Sequence, residues 1–371
     1  MRPSAKGDER RLKCAPGPGR WDGGARVRLM KAARYLGPRE IRVEDIPVPK
    51  IGAGEVLLRV RACGLCATDV KTYARGHPFI SPGSVLGHEV SGIVARVGAE
   101  VNGWKEGDRV VAAPYVPCGE CRNCSRGHYT LCSNLHLSAL QPGGLSEFVR
   151  VPAPTVREGL LRIPEVLTFE EAALSEPLGC VYHGFEAMSM RPGASVLIVG
   201  DGPMGLMQAM VARASGCSPV VLSGMIPQRM AIAEGVADFV VDARNQNLGA
   251  VLDRLTGSSE MDAVVVSVGT PSAVESALAH LGVGGVLNVF AGMPSGTSIR
   301  LDIHALHYKE QRVLGTFGLA PRHFRRALEA LGSRDVDVRS IITRRIPLDK
   351  VQEALEGALR YEGVKTVFTM E

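Results

Sequence analysis

Four cysteines, Cys118, Cys121, Cys124 and Cys132, stand with two residues between each of the first three and seven before the fourth. They lie among Pro117, Gly119, Asn123 and Gly127, a turn-rich setting with little apolar content. Thiolates at roughly 2.3 Å can close a tetrahedron around Zn2+, and a lobe so poor in core residues would take its order from the metal. An iron–sulfur cluster or unligated thiols are the alternatives. Four sulfurs leave no open position, so the spacing predicts a structural zinc site. A second set is dispersed: Cys66 in Cys63-Gly-Leu-Cys-Ala-Thr-Asp69, His88 and Glu89 in Gly-His-Glu, and Glu176 in Ser-Glu-Pro-Leu. Singly, Cys63 and Cys66 read as inert buried thiols, His88 as a core histidine and Glu176 as a carboxylate at a helix N-terminus. Together they supply sulfur, nitrogen and oxygen donors able to hold Zn2+ with a place left for water or substrate, as a catalytic site requires. A third signal is the turn Gly200-Asp-Gly202-Pro203-Met204-Gly205. Its glycines permit a tight turn, a close backbone approach to a pyrophosphate and close helix–strand packing, with a helix N-terminus facing the phosphate charge. A glycine turn chosen for geometry alone is the alternative.

The surrounding elements must position these groups. From Met30 to about Val151 short β-branched runs (55–60, 91–97 and 109–112) alternate with Gly/Pro punctuation, predicting a β-rich, loop-rich unit. From Ser195 the rhythm becomes apolar strand, helical stretch, apolar strand, with strands expected at 195–200, 220–223, 239–241, 263–268, 286–290 and 312–316. Six parallel strands covered by helices predict an α/β doubly wound (Rossmann) dinucleotide fold. An amphipathic segment at 323–331 and a strand at 365–369 should pack back onto the first unit. The expected division is therefore 30–185 and 320–371 for the β-rich catalytic unit and 186–319 for the dinucleotide unit. Residues 1–29, rich in Arg, Gly and Pro, are expected to be a disordered extension without a secretory signal, with natural translation starting at Met30; an intact mass beginning at Met1 tests this.

Composition narrows the partners. The chain has 371 residues, 45% hydrophobic and 22% charged, and its net charge of +5 is small against 43 basic and 38 acidic residues. This does not favour nucleic acid. No apolar run approaches the roughly 18–20 residues that span a bilayer. An odd count of nine cysteines, six of them in two clusters, suits metal binding in the cytoplasm better than a disulfide framework.

In this order the motifs make the chain, from Met30 to Glu371, similar to the zinc-containing medium-chain dehydrogenase/reductase family, in the branch of sorbitol (iditol), threonine and related alcohol dehydrogenases. That resemblance implies a GroES-like catalytic domain beside the Rossmann domain, and one catalytic and one structural zinc per chain. It makes Cys66 rather than Cys63 the thiolate ligand, His88 the imidazole ligand, and Glu89 a ligand or exchangeable carboxylate. Glu176 matches the Glu-Pro-Leu position of polyol dehydrogenases, and Cys180 is a lesser candidate. Asp69 is implied to be a carboxylate on His88, and Thr68 the hydroxyl that relays the alcohol proton. The relay histidine of the family is Lys71 here, which either takes over the relay or is a surface lysine. NAD-type members end the second dinucleotide strand in an acidic residue, whereas this strand ends Leu222-Ser223-Gly224 with Arg229 nearby. The lost carboxylate tilts the expectation toward NADP within a general NAD(P) assignment, with Ser223 and Arg229 on a 2′-phosphate. The nicotinamide is expected near Val268-Gly269 and Phe290-Ala291, beyond the carboxyl ends of the strands.

The resulting expectation is hydride transfer between a secondary alcohol, a polyol or sugar first and threonine or a simple alcohol next, and NAD(P). A zinc-independent reductase of the same fold would lack the cysteine sets, and a non-catalytic nucleotide-binding protein would not need Cys66, Thr68, Asp69, His88 and Glu89 together. A dimer or tetramer is expected, with the β-rich tail of the dinucleotide unit, 286–290 included, pairing across subunits.

Overall fold

The computed structural model describes residues 27–370. The expected N-terminal extension lies outside the described residues as far as residue 26, and Leu29 already belongs to the first strand. Strands β1 (Leu29–Gly37) and β2 (Glu40–Pro47) form an antiparallel hairpin. There follow β3 (Val56–Gly64), α1 (Ala67–Arg75), β4 (Glu89–Val97), β5 (Arg109–Ala112), α2 (Arg122–Ser125), β6 (Phe148–Val151), α3 (Ala153–Glu158), β7 (Leu160–Arg162), α4 (Phe169–Ala173) and α5 (Ser175–Met188). The dinucleotide unit then runs β8 (Val196–Val199), α6 (Pro203–Ala214), β9 (Val220–Gly224), α7 (Pro227–Ala233), β10 (Phe239–Asp242), α8 (Leu248–Thr256), β11 (Met261–Val266), α9 (Pro271–Leu278), β12 (Leu281–Val289), α10 (Ile303–Tyr308) and β13 (Arg312–Gly315). The chain closes with α11 (Pro321–Ser333), β14 (Ile342–Pro347), α12 (Val351–Leu359) and β15 (Lys365–Thr369).

The six expected strands form one parallel sheet in the order β10-β9-β8-β11-β12-β13, whose reversal of direction beside β8 is the Rossmann arrangement. Both faces of this sheet are covered, which is why its strands read as continuous apolar runs. Val196 and Ile198 of β8 enter the core shared with α5, α6 and α11, while Leu197 points to the opposite core with Leu252 of α8 and Val274 of α9. One expectation is corrected here. The segment 286–290 lies mostly in β12, which is hydrogen-bonded on one side to β11 and on the other to β13, so it has no free edge to offer another subunit. The edge strands are β10 and β13.

The other unit is a seven-stranded sheet, β14-β15-β3-β4-β5-β7 with β6 also on β3. Its closing strand β15 pairs antiparallel with β3, so the C-terminal segment does return to the first unit. Between the units lies α5, ten of whose fourteen residues are buried. Its Leu178, Val181 and Phe185 share one core with Ala62 of β3, Val111 of β5 and Val196 of β8. Burial of each large apolar side chain contributes about 1.5–3 kcal/mol, so this helix fixes the spacing of the two sheets. Among the described residues no helix is long and apolar enough to cross a membrane.

Candidate metal centre and dinucleotide cleft

Helix α1 begins at the chemistry. Cys66 is its N-cap: the Cys66 Sγ accepts from the Thr68 N–H at 3.5 Å, and the Cys66 N–H donates to Asp69 Oδ2 at 3.1 Å. The capping exchange exposes the sulfur at a helix end and leaves Thr68 directly beside it. The other Asp69 oxygen accepts from the Gly87 N–H at 3.1 Å, so the carboxylate ties the backbone before His88 to the backbone of Cys66. Asp69 thereby holds together the two chain segments that carry Cys66 and His88, and its charge also acts on the His88 imidazole.

Cys66, His88 and Glu89 bring one donor atom each within 4.8 Å of the others. Cys63, by contrast, is fully buried and donates its thiol to the Gly64 carbonyl. Glu89 opens β4 opposite Gly64 of β3, where any Cβ would collide with its carboxylate. Its Oε1 is held at 2.6 Å by Lys365 Nζ, which also donates to the Leu65 carbonyl at 2.9 Å, both charges being almost wholly buried. Its Oε2 is buried with no hydrogen-bond partner. An unpaired buried carboxylate oxygen costs free energy, so the arrangement fits a cation at that oxygen. Burial presses the His88 imidazole down, but the adjacent Cys66 sulfur and the Asp69 and Glu176 carboxylates hold it well above the ordinary imidazole value. Such a cluster of thiol and carboxylates around an imidazole is short of positive charge, as a divalent-cation site is.

Glu176 stands in the first turn of α5, near enough to act on His88 electrostatically but outside the three-residue cluster. Burial and Glu89 push its carboxyl up to about 7, against the pull of His88 and Lys365. One turn later Cys180 donates its thiol to Glu176 Oε1 at 3.7 Å and is thereby a partner of the carboxylate. Tyr115 feels the charges of Cys180, Glu176 and Cys66, which together with burial drive its phenol far above the usual range. It stands within electrostatic reach of the site, and sequence reasoning missed it. Lys365 was missed too, because its partner is 276 residues away and a lysine opening an apolar strand carries no local signal.

The four-cysteine lobe is assembled around α2. Its sulfurs lie 3.5 Å apart for Cys121 and Cys124, 3.8 Å for Cys121 and Cys132, and 3.5 Å for Cys132 and Cys118. Four thiolates at about 2.3 Å from one ion in a tetrahedron would stand about 3.8 Å apart. Backbone N–H groups of Cys118 and Asn134 both point at Cys132 Sγ, and those of Cys124 and Ser133 draw the Cys121 thiol down to about 6, the direction metal binding needs.

At the cleft, Gly200 has φ +123° and a Cβ on Gly205 would collide with the Gly200 carbonyl, so α6 packs tightly on the turn. A Cβ on Gly202, the N-cap of α6, would meet nothing within 4 Å, leaving its backbone open for the approach of a phosphate. Val268 lies against Gly200, while the Phe290 and Ala291 N–H groups both donate to the Val266 carbonyl at 3.1 Å, so the loops after β11 and β12 meet at one end of the sheet. Lys71 reaches across from α1 to donate to the Gly292 carbonyl at 3.2 Å. Ser223 is buried, and Arg229 donates to the carbonyls of Gly363 at 3.0 Å and Tyr361 at 3.5 Å.

Comparison with known proteins accords with this geometry. Residues 52–165 match the model of the alcohol dehydrogenase GroES-like domain and residues 203–333 that of the zinc-binding dehydrogenase. Sorbitol dehydrogenase of Bacillus subtilis (strain 168) is 33% identical over 339 residues, covering 90% of this chain and 94% of that protein. The chain belongs to the zinc-containing medium-chain dehydrogenase family. An L-threonine 3-dehydrogenase of Rhizobium rhizogenes is 32% identical, over 85% of this chain and 91% of its own. A Sinorhizobium meliloti 1021 protein solved with NADP bound superposes with a TM-score of 0.84 at 29% identity, covering 92% and 99% of the two chains. As a member of this family the protein is a zinc-dependent oxidoreductase of alcohols that uses NAD(P), built from a GroES-like and a Rossmann domain.

Proposed function

We propose that Cys66, His88 and Glu89 hold a catalytic zinc, with Glu176 as an exchangeable carboxylate, and that the enzyme oxidises a secondary alcohol of a polyol or sugar. The observation that carries this reading is the unpartnered Glu89 Oε2 within a cluster of sulfur, nitrogen and oxygen donors. Bound there, zinc would lower the pKa of a substrate hydroxyl, and a nicotinamide in the cleft would accept the hydride. Thr68, fixed beside the Cys66 sulfur, is the hydroxyl placed to receive the alcohol proton. Lys71 extends from the next turn of the same helix to the loop after β12, which sets a cation at the outer end of that relay. Asp69 keeps the two ligand-bearing segments in register. Glu176, held near neutrality and touched by Cys180, can take or release a proton next to the substrate position. The sorbitol dehydrogenase relative and the Glu-Pro-Leu setting of Glu176 support the polyol class. The lobe of Cys118, Cys121, Cys124 and Cys132 holds a second, structural zinc in this reading.

The metal-rich thiol chemistry suits the cytoplasm. A homo-oligomer, dimer or tetramer, is the assembly in this reading, supported by the place of β13 at an edge of its sheet.

A panel of polyols, sugars, L-threonine and simple alcohols, followed at the reduced-nicotinamide absorbance with elemental analysis for zinc, tests the assignment. Turnover of a polyol with about two zinc per chain is expected. Cys66→Ser and His88→Ala should fold and lose about a hundredfold or more in kcat/KM with about one zinc remaining. Full activity in either variant would remove the metal from the mechanism.

A further inference from the structure

Gly224 at the tip of β9 offers no carboxylate, yet one stands beside it. Asp201, the second residue of the glycine-rich turn, is 8% exposed and directs its side chain toward that tip. Its Oδ2 accepts from the N–H groups of Met225 and Ile226, each at 2.7 Å. A Cβ built on Gly224 would come within 2.7 Å of both Cβ and Oδ2 of Asp201. The Asp201 carboxyl therefore fills the volume into which a side chain at 224 would grow, and glycine is required there because that volume is taken. Oδ1 has no hydrogen-bond donor paired with it among the described residues.

The nearby cations are committed elsewhere. Arg229 and Arg244 both feel the Asp201 charge. Yet Arg229 donates to the Gly363 and Tyr361 carbonyls and lies over the Tyr361 ring, while Arg244 is engaged by both oxygens of Asp242 at 3.1 and 3.2 Å.

We propose that Asp201 sets the dinucleotide preference of this enzyme, supplying from the glycine-rich turn the carboxylate that the β9 tip lacks, and that it selects NAD over NADP. A carboxylate oxygen at this tip can accept from a free ribose 2′-hydroxyl. A 2′-phosphate, carrying nearly two negative charges, would be brought against the buried carboxylate while Arg229 and Arg244 are engaged by other partners. The absence of an acidic residue at position 224, read from the strand alone, points to NADP. The tertiary structure points the other way because it delivers the charge from a segment more than twenty residues earlier. The proposal rests on the reading of the Gly200–Gly205 turn as a dinucleotide site.

Asp201→Asn is the decisive variant, since the carboxamide oxygen can still accept from the two N–H groups while the charge is gone. Its ratio of kcat/KM for NAD over NADP should fall by about tenfold or more relative to the unaltered enzyme, with zinc content and Tm retained. Calorimetry on the unaltered protein gives a readout independent of turnover: 5′-AMP should bind more tightly than 2′,5′-ADP, and Asp201→Asn should narrow or reverse that order. An unchanged kinetic ratio in the variant, or tighter binding of 2′,5′-ADP to the unaltered protein, overturns the proposal. Should the variant fail to fold, the comparison of the two fragments on the unaltered protein decides. Binding of neither fragment would overturn the dinucleotide reading and the role of Asp201 with it.

Discussion

At the scale of single residues, the candidate metal centre includes a buried charge pair, one member of which, Lys365, lies in no ligand motif. Lys365 and Glu89 are 2.6 Å apart and almost wholly removed from water. The attraction within such a pair barely offsets the desolvation of its members, but breaking it leaves one charge buried and unmatched, at a cost of about 3–5 kcal/mol. Lys365→Met should therefore destabilise the protein by about 3 kcal/mol or more in urea unfolding, and adding Glu89→Gln should recover part of that loss. Equal stability of Lys365→Met and the parent would show that the pair is not coupled. The same pair fixes which carboxylate oxygen of Glu89 is free, so the single variant should also weaken zinc retention against a chelator.

At the scale of elements, α5 and α11 form the joint between the sheets, and a titratable cluster sits in it. His323 of α11 accepts the Ala320 N–H at Nδ1 and meets Glu186 of α5 through Nε2 at 3.0 Å, while its ring stacks on His183 at 4.8 Å. Burial and the Arg322 charge lower the His323 imidazole to about 4, outweighing the upward pull of Glu186. Because the folded value lies below the unfolded one, near 6.5, the unfolded chain binds the extra proton between them. Stability from this group is complete above about pH 6.5 and is lost as the pH falls toward 4. Thermal unfolding should show Tm declining over that window, and His323→Gln should flatten the decline. Glu186 acts lower: the Arg322 guanidinium, bonded at 2.6 Å, holds its carboxyl down to about 2, so its contribution disappears only as the pH falls from about 4.5 toward 2. A Tm independent of pH between 4 and 6.5 in the parent protein would remove His323 as the cause.

At the scale of the whole molecule, the two units are bridged at two places by cations donating to carbonyls, Lys71 to Gly292 and Arg229 to Gly363. Lys71 carries the testable consequence. Lys71→Met should keep its zinc and its Tm, lower kcat by about tenfold or more, and recover rate in the presence of small primary amines, as expected when a proton carrier is lost. Unchanged kcat would make Lys71 a surface residue.

The elements and the candidate ligand clusters were legible in the sequence because they obey local rules. Period-two and apolar runs specify strands, glycine spacing specifies the turn before α6, and cysteine spacing specifies the lobe, each within a few residues of chain. Even the boundaries of β5 and β15 agree with the strand runs at 109–112 and 365–369. The tertiary structure alone decided where charges separated in sequence meet: Lys365 against Glu89, Asp69 between two backbones, Arg229 on the Gly363 carbonyl, Asp201 beside Gly224. It also decided that β12 is an interior strand, since neighbours in a sheet are set by crossovers and not by composition. Periodicity reports what each segment buries, whereas electrostatic partners depend on distances that only the packed chain defines.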